Sequence, residues 1–237
     1  MTESSARIIY DKSLLVEDIP ACISKNKRSI DAILNSMNFL KHYFPHILLG
    51  IYITETVILG INPYSRAVWF AENIPIMAVV AFLVILYIRG IRFSNLGYFL
   101  MSILPFLHTI GGHYTFERVP FDWFNNFFGF ERNMFDRVGH FTTGFFAYGL
   151  MEYVLKYKKV SSMFWAFFLS VCFIGTLAMV YELIEWQYAE IAGGDAGAAF
   201  LGSQGDIWDA QKDMLMDTLG AIFVATIGLF TFRNLKK

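Results

Sequence analysis

Charge is scarce in this chain. Only 16% of its 237 residues are Asp, Glu, Lys or Arg, against roughly 25% in an ordinary soluble domain. That deficit argues against a water-exposed globular fold. The charge present sums to −1, which makes no case for binding nucleic acid or another polyanion. Cysteine is limited to Cys22, in an N-terminal tail, and Cys172, inside an apolar run. The two are not expected to bridge and do not report a redox compartment. The first 40 residues lack an apolar core, so no cleavable signal peptide is expected. There is no His-Glu-x-x-His, no P-loop, no Gly-x-Ser-x-Gly, and no internal repeat or low-complexity tract. Any chemistry must come from residues that the fold gathers.

What the chain has is apolar length. Hydrophobic residues make up 56% and aromatics 18%, with a mean hydropathy of +0.47. Six spans are expected, at about His46–Ile61, Val68–Ile88, Leu96–Ile110, Val138–Leu155, Ser162–Trp186 and Met214–Phe232. A hydrocarbon core of about 30 Å needs about 20 apolar residues per helix. The first and third runs are shorter and lean on flanking aromatics; Pro105 bends the third. The fold class is therefore all-α, a polytopic membrane bundle of about six transmembrane helices in residues 45–237. Residues 1–44 are expected to form a separate N-terminal segment. There Ile30, Ile33, Leu34, Met37 and Leu40 repeat at helical spacing and mark an interfacial amphipathic helix.

Lys and Arg placement orients the bundle. Fourteen of the nineteen fall in the N-terminal segment, the second-to-third and fourth-to-fifth connections, and the C-terminal tail. The other side holds Arg66, Arg118, Arg132, Arg137 and Lys212. By the positive-inside rule both termini are expected in the cytoplasm, which makes this a multi-pass protein of the cytoplasmic (inner) membrane. Gly111–Arg137 is dense in Phe, Tyr and Trp and is expected to lie among lipid headgroups. The Gly- and Ala-rich stretch Ala192–Gly205 is a candidate lid.

The same orientation gathers the ionisable groups at the extracytoplasmic end. Asp206, Asp209, Asp213 and Asp217 are spaced i, i+3, i+7, i+11 and share one helix stripe within about 80°. A carboxylate at the centre of a membrane helix costs roughly 2.5–3.5 kcal/mol on insertion scales, so this stripe requires partners. Asp136 and His140 share a face at i, i+4. Read plainly, Asp136 caps a helix and His140 satisfies a carbonyl; read sharply, they are ligand and orienter, or base and orienter. Glu182 and Glu185, at i, i+3, repel unless a cation or proton lies between them. Asp206 and Asp209 suit either solvated capping or a site; Asp213 and Asp217 lie deeper. His108 and His113 flank Gly111 and Gly112, which suggest that the helix ends there. His113, Arg118, Arg132 and Arg137 are candidates for an anionic headgroup, with pairing to Glu117, Glu131 or Asp136 as the other reading of the arginines.

Three segments carry a family resemblance: Asp136-Arg-Val-Gly-His140-Phe, Tyr181-Glu-Leu-Ile-Glu185-Trp, and Gly205-Asp-Ile-Trp-Asp209 continuing through Asp213 and Asp217 to Gly220. In this order they resemble the YjdF-type family of uncharacterised bacterial inner-membrane proteins and, more distantly, VanZ-like membrane proteins. The resemblance implies a membrane bundle with these motif residues together, and supplies no activity. Three functional readings follow. In the first, Glu182, Asp209, Asp213, Asp217 and His140 bind a divalent metal (Zn, Mn, Fe or Mg). Asp136, His140 and Glu185 then do acid–base work on a lipid-linked envelope substrate. In the second, the polar groups form a proton or cation pathway. In the third, they hold helices together or bind a partner, without catalysis. Membrane lipids are the expected partners; oligomeric state is not readable.

Overall fold

A computed structural model describes residues 39, 41–194 and 203–233. The chain divides into two compact units, Met1–Phe44 and Pro45–Lys237. In the first, residues 39 and 41–44 are described and helical, with the Phe39 and Tyr43 rings 4.4 Å apart, one turn on. The amphipathic helix expected around Ile30–Leu40 lies outside the described residues, as does most of the candidate lid.

Every regular element of the second unit is helical among the described residues. The order is α1 (45–59), α2 (Arg66–Ile88), α3 (Asn95–Tyr114), a 3-10 turn (Phe116–Arg118), α4 (Asp122–Phe128), α5 (Phe135–Thr143), α6 (Phe146–Lys156), α7 (Met163–Ala192) and α8 (Asp209–Thr231). Side-chain caps start α2 and α3: the Ser65 hydroxyl accepts from the Val68 N–H and Ser94 from Gly97. Gly129, at φ 73°, ends α4 in the left-handed conformation that suits a residue without Cβ. Helices α2, α7 and α8 are long and apolar enough to cross a membrane. At 30 residues and about 1.5 Å per residue, α7 is longer than the roughly 30 Å of a bilayer core.

Two local features depart from the sequence reading. The expected span Val138–Leu155 is two helices, α5 and α6, meeting at Gly144 and Phe145. The 3-10-type bonds Phe145 N–H to Thr142 O and Ala147 N–H to Gly144 O tighten the joint. Gly144 faces the α8 backbone, where an added Cβ would strike Asp217 O and Ala221 N. The second departure is α3, which runs through Gly111 and Gly112 to Tyr114 instead of ending at them. Those glycines are contact points: a Cβ on Gly112 would meet Asn73, and one on Gly111 would meet the Phe116 ring.

Helix α8 is the centre of the unit. It packs on α5, α6 and α7, while α3 packs on α2, α5 and α6. Tyr148, Met151, Ile174, Ala221, Val224 and Ala225 fill the main core. Small residues on α8 allow close backbone approach, as at membrane helix crossings. The outward faces are apolar: Val57, Ile85, Phe164, Phe223 and Phe230 are all exposed, the arrangement that an acyl environment favours.

Candidate functional site

The aspartate stripe opens α8, and α5 lies across it. Arg137, on the first turn of α5, is buried at 4% exposure. Its Nη2 lies 2.5 Å from Asp209 Oδ1, its Nη1 contacts Asp213 Oδ1, and Nη1 also donates to the Asp209 carbonyl at 3.2 Å. Arg132 reaches the same Asp209 oxygen at 2.6 Å. The fork of donors on a guanidinium suits this multidentate grip. Both arginines, candidates for a headgroup, are thus engaged by Asp206, Asp209 and Asp213, and not by Glu117 or Glu131. Asp206, outside the spans, accepts from Lys212 Nζ at 2.6 Å and from the Trp208 N–H. The Lys212 bond, followed by that N–H, holds its carboxyl below the usual range.

One turn deeper the partners change from arginine to histidine. His140 Nδ1 is 3.2 Å from Asp217 Oδ2, and its Nε2 is 3.7 Å from both Asp136 Oδ1 and Asp213 Oδ1. Ligand atoms of Asp136, His140 and Asp213 lie within 4.8 Å of one another, a spacing that could hold one metal ion. Asp217 is buried at 1%, and its Oδ1 has no hydrogen-bond partner. Glu182 lies within electrostatic reach of His140, Asp213 and Asp217, and Glu185 of Glu182, His140 and Glu72. Glu182 Oε1 is likewise buried without a hydrogen-bond partner. Asp136, Glu182, Glu185, Asp213 and Asp217 thus all lie within electrostatic reach of His140.

A cavity of about 320 Å³ opens beside this cluster, within the roughly 300–1,000 Å³ typical of small-molecule sites. Asp136, His140, Glu185 and Asp217 line its polar end. His108 and Glu72 also line it, with His108 Nε2 3.1 Å from Glu72 Oε2 and both side chains largely buried. Thr115 also lines the cavity, with φ 61° and an unpartnered buried hydroxyl. A β-branched residue in that conformation stores of order 1–3 kcal/mol of strain, a cost that tends to collect at functional sites. His113 does not line the cavity; its Nδ1 bonds the Leu59 carbonyl at 2.7 Å and ties α3 to α1.

The sequence reading did not pair Glu72 with His108. Their separation of 36 residues leaves no periodic signal; the signal available was a glutamate inside an otherwise apolar span.

Residues 44–234 match the family model described as "Predicted membrane protein (DUF2238)". The chain is also 33% identical to the inner membrane protein YjdF of Escherichia coli (strain K12), over 199 residues that cover 81% of this chain and 94% of that protein. No solved structure matches. With an all-helical unit, three membrane-length helices and this match over most of its length, the chain belongs to the DUF2238 family of integral membrane proteins, of which it is a YjdF-type member.

Proposed function

We propose that this protein is an inner-membrane enzyme whose His/carboxylate cluster binds a divalent cation and acts on an amphiphilic envelope lipid. The carrying observation is the approach of Asp136, His140 and Asp213 ligand atoms within 4.8 Å. Asp217 orients the imidazole through Nδ1, and Arg137 steadies Asp213, the outer support that ligating carboxylates commonly have. Glu182 completes the acidic set. Mixed imidazole and carboxylate donors suit Zn²⁺, Mn²⁺ or Fe²⁺, with Mg²⁺ on a purely carboxylate subset. Such an ion would supply Lewis acidity and an acidified water for hydrolysis or transfer at a phosphate or acyl group. Glu185, at the cavity wall, is then the available proton acceptor.

The proposal places six spans across the inner membrane, both termini in the cytoplasm and the cluster at the extracytoplasmic face. The skew of Lys and Arg supports the orientation, and the name of the Escherichia coli relative, an inner membrane protein, supports the membrane. The test is metal content of purified wild type beside Asp213→Asn/Asp217→Asn. About one equivalent of metal, lost in the variant with the fold retained, supports the reading. Equal content in both sinks it.

A second reading is structural. Arg132 and Arg137 engage Asp206, Asp209 and Asp213, and such networks specify helix packing even where they add little net stability. Under it, substitutions lower the melting temperature and change no ligand binding. A proton or cation pathway is the third reading. It draws less support, because Glu152, at the other end of the bundle, is engaged by Ser94.

A further inference from the structure

The cavity beside the cluster has a distribution of charge that names its ligand class. No lysine or arginine lines it. Arg118 pairs with the lining Glu117 at 3.4 Å, and Arg132 and Arg137 are held by Asp206, Asp209 and Asp213. The lining carboxylates are Glu72, Glu117, Asp136, Glu185 and Asp217, against two imidazoles, His108 and His140. Each imidazole already faces a carboxylate, His108 facing Glu72 and His140 facing Asp217. An anionic headgroup entering alone would meet net repulsion; an ammonium group would meet acceptors. Two of the acceptors facing the cavity are unsatisfied: Asp217 Oδ1 and the strained Thr115 hydroxyl, both buried.

The rest of the lining is largely apolar, with Val68, Pro75 and Val79 contributed by α2 and Leu177, Val180 and Ile184 by α7. Helix α2 packs on α3, and α7 packs on α6 and α8. Leu177, Val180 and Ile184 line the cavity and are also exposed at the surface of α7.

We propose that this cavity admits a phospholipid with a protonated amine headgroup from the bilayer, sideways between α2 and α7. The ammonium lies against Glu72, Glu185 and Asp217, and an acyl chain runs out past Val180 and Ile184. The inference deepens the reading of the cluster as a lipid site and rests on it, but it does not require the metal.

The test uses the full-length protein in nanodiscs containing EDTA. Two photoactivatable lipids with identical diazirine chains are compared, one phosphatidylethanolamine and one phosphatidylglycerol, with adducts mapped by mass spectrometry. The expected result is adducts on residues 68–79 and 177–185, with the amine lipid favoured by about tenfold, the size of one charge-assisted hydrogen bond. Glu72→Gln/Glu185→Gln, both near-isosteric, abolishes the preference and keeps the chain adducts. Val180→Trp and Ile184→Trp, at lipid-exposed positions that tolerate bulk, reduce adducts from both lipids. Equal or reversed lipid preference overturns the proposal, as do adducts on these segments no denser than on the outer face of α8. Metal content, measured on the same preparation before EDTA, reports separately on the cation reading.

Discussion

Arg137 and Asp209 join α5 to the start of α8 through a contact of 2.5 Å between Nη2 and Oδ1, with the arginine 4% exposed. Removing the guanidinium takes the arginine partner from buried Asp213 and leaves Asp209 to Arg132 alone. Arg137→Met is expected to destabilise the protein by about 3–5 kcal/mol, the cost of breaking a buried charge pair from one side. Arg137→Lys is expected to recover only part, because an ammonium cannot span Asp209 and Asp213 with a fork of donors. Thermal unfolding in detergent checks both; a melting temperature unchanged in Arg137→Met would contradict the network.

Close approach of α5 and α8 is what sets His140 against Asp217. A Cβ on Gly220 would collide with the Phe141 carbonyl. Gly220→Ala is therefore expected to cost about 1–3 kcal/mol through overpacking. Gly50→Ala, where nothing lies within 4 Å, is expected to stay within about 0.5 kcal/mol of wild type. Chemical unfolding of the two variants in parallel supplies the comparison.

At the opposite end, Glu152 holds the turn before α3. Its Oε1 accepts from the Ser94 N–H at 2.7 Å and its Oε2 from the Ser94 hydroxyl at 2.8 Å. Glu152→Ala leaves that N–H unsatisfied and is expected to cost about 1–3 kcal/mol. Hydrogen exchange at residues 92–97 should rise in this variant and not in Arg137→Met.

Asp206 supplies the pH-dependent contact. Its carboxyl titrates below its ordinary value of 3.8 because Lys212 and the Trp208 N–H bond the ionised form. A depressed pKa gives stability that is complete above the ordinary value and lost as pH falls through the folded one. Lys212→Met is expected to move the titration upward. Carbon-13 NMR of labelled aspartate follows it; an unmoved midpoint would show that Lys212 does not hold Asp206.

Much of the site is legible in the sequence because helical periodicity is local. The aspartate stripe and the Asp136–His140 spacing fix which side chains share a face before any tertiary contact is known. Partner choice is not local. Arg132 and Arg137 had nearer acidic neighbours in Glu117, Glu131 and Asp136, yet the α5–α8 crossing delivers them to Asp206, Asp209 and Asp213. Glycine misled in α3, where Gly111 and Gly112 read as a stop and serve as contact points for Phe116 and Asn73. The break at Gly144 was equally hidden, since an apolar run looks the same whether one helix or two traverse it.

Asp136, His140 and Asp213 are proposed to hold one cation. Cobalt(II) reports on it directly, because its visible bands depend on the ligand set and geometry. Titrating metal-free protein with cobalt is expected to give bands that saturate near about one equivalent. They should be lost in His140→Gln and in Asp136→Asn, both still folded. No bands in wild type, or identical bands in the variants, would contradict the account.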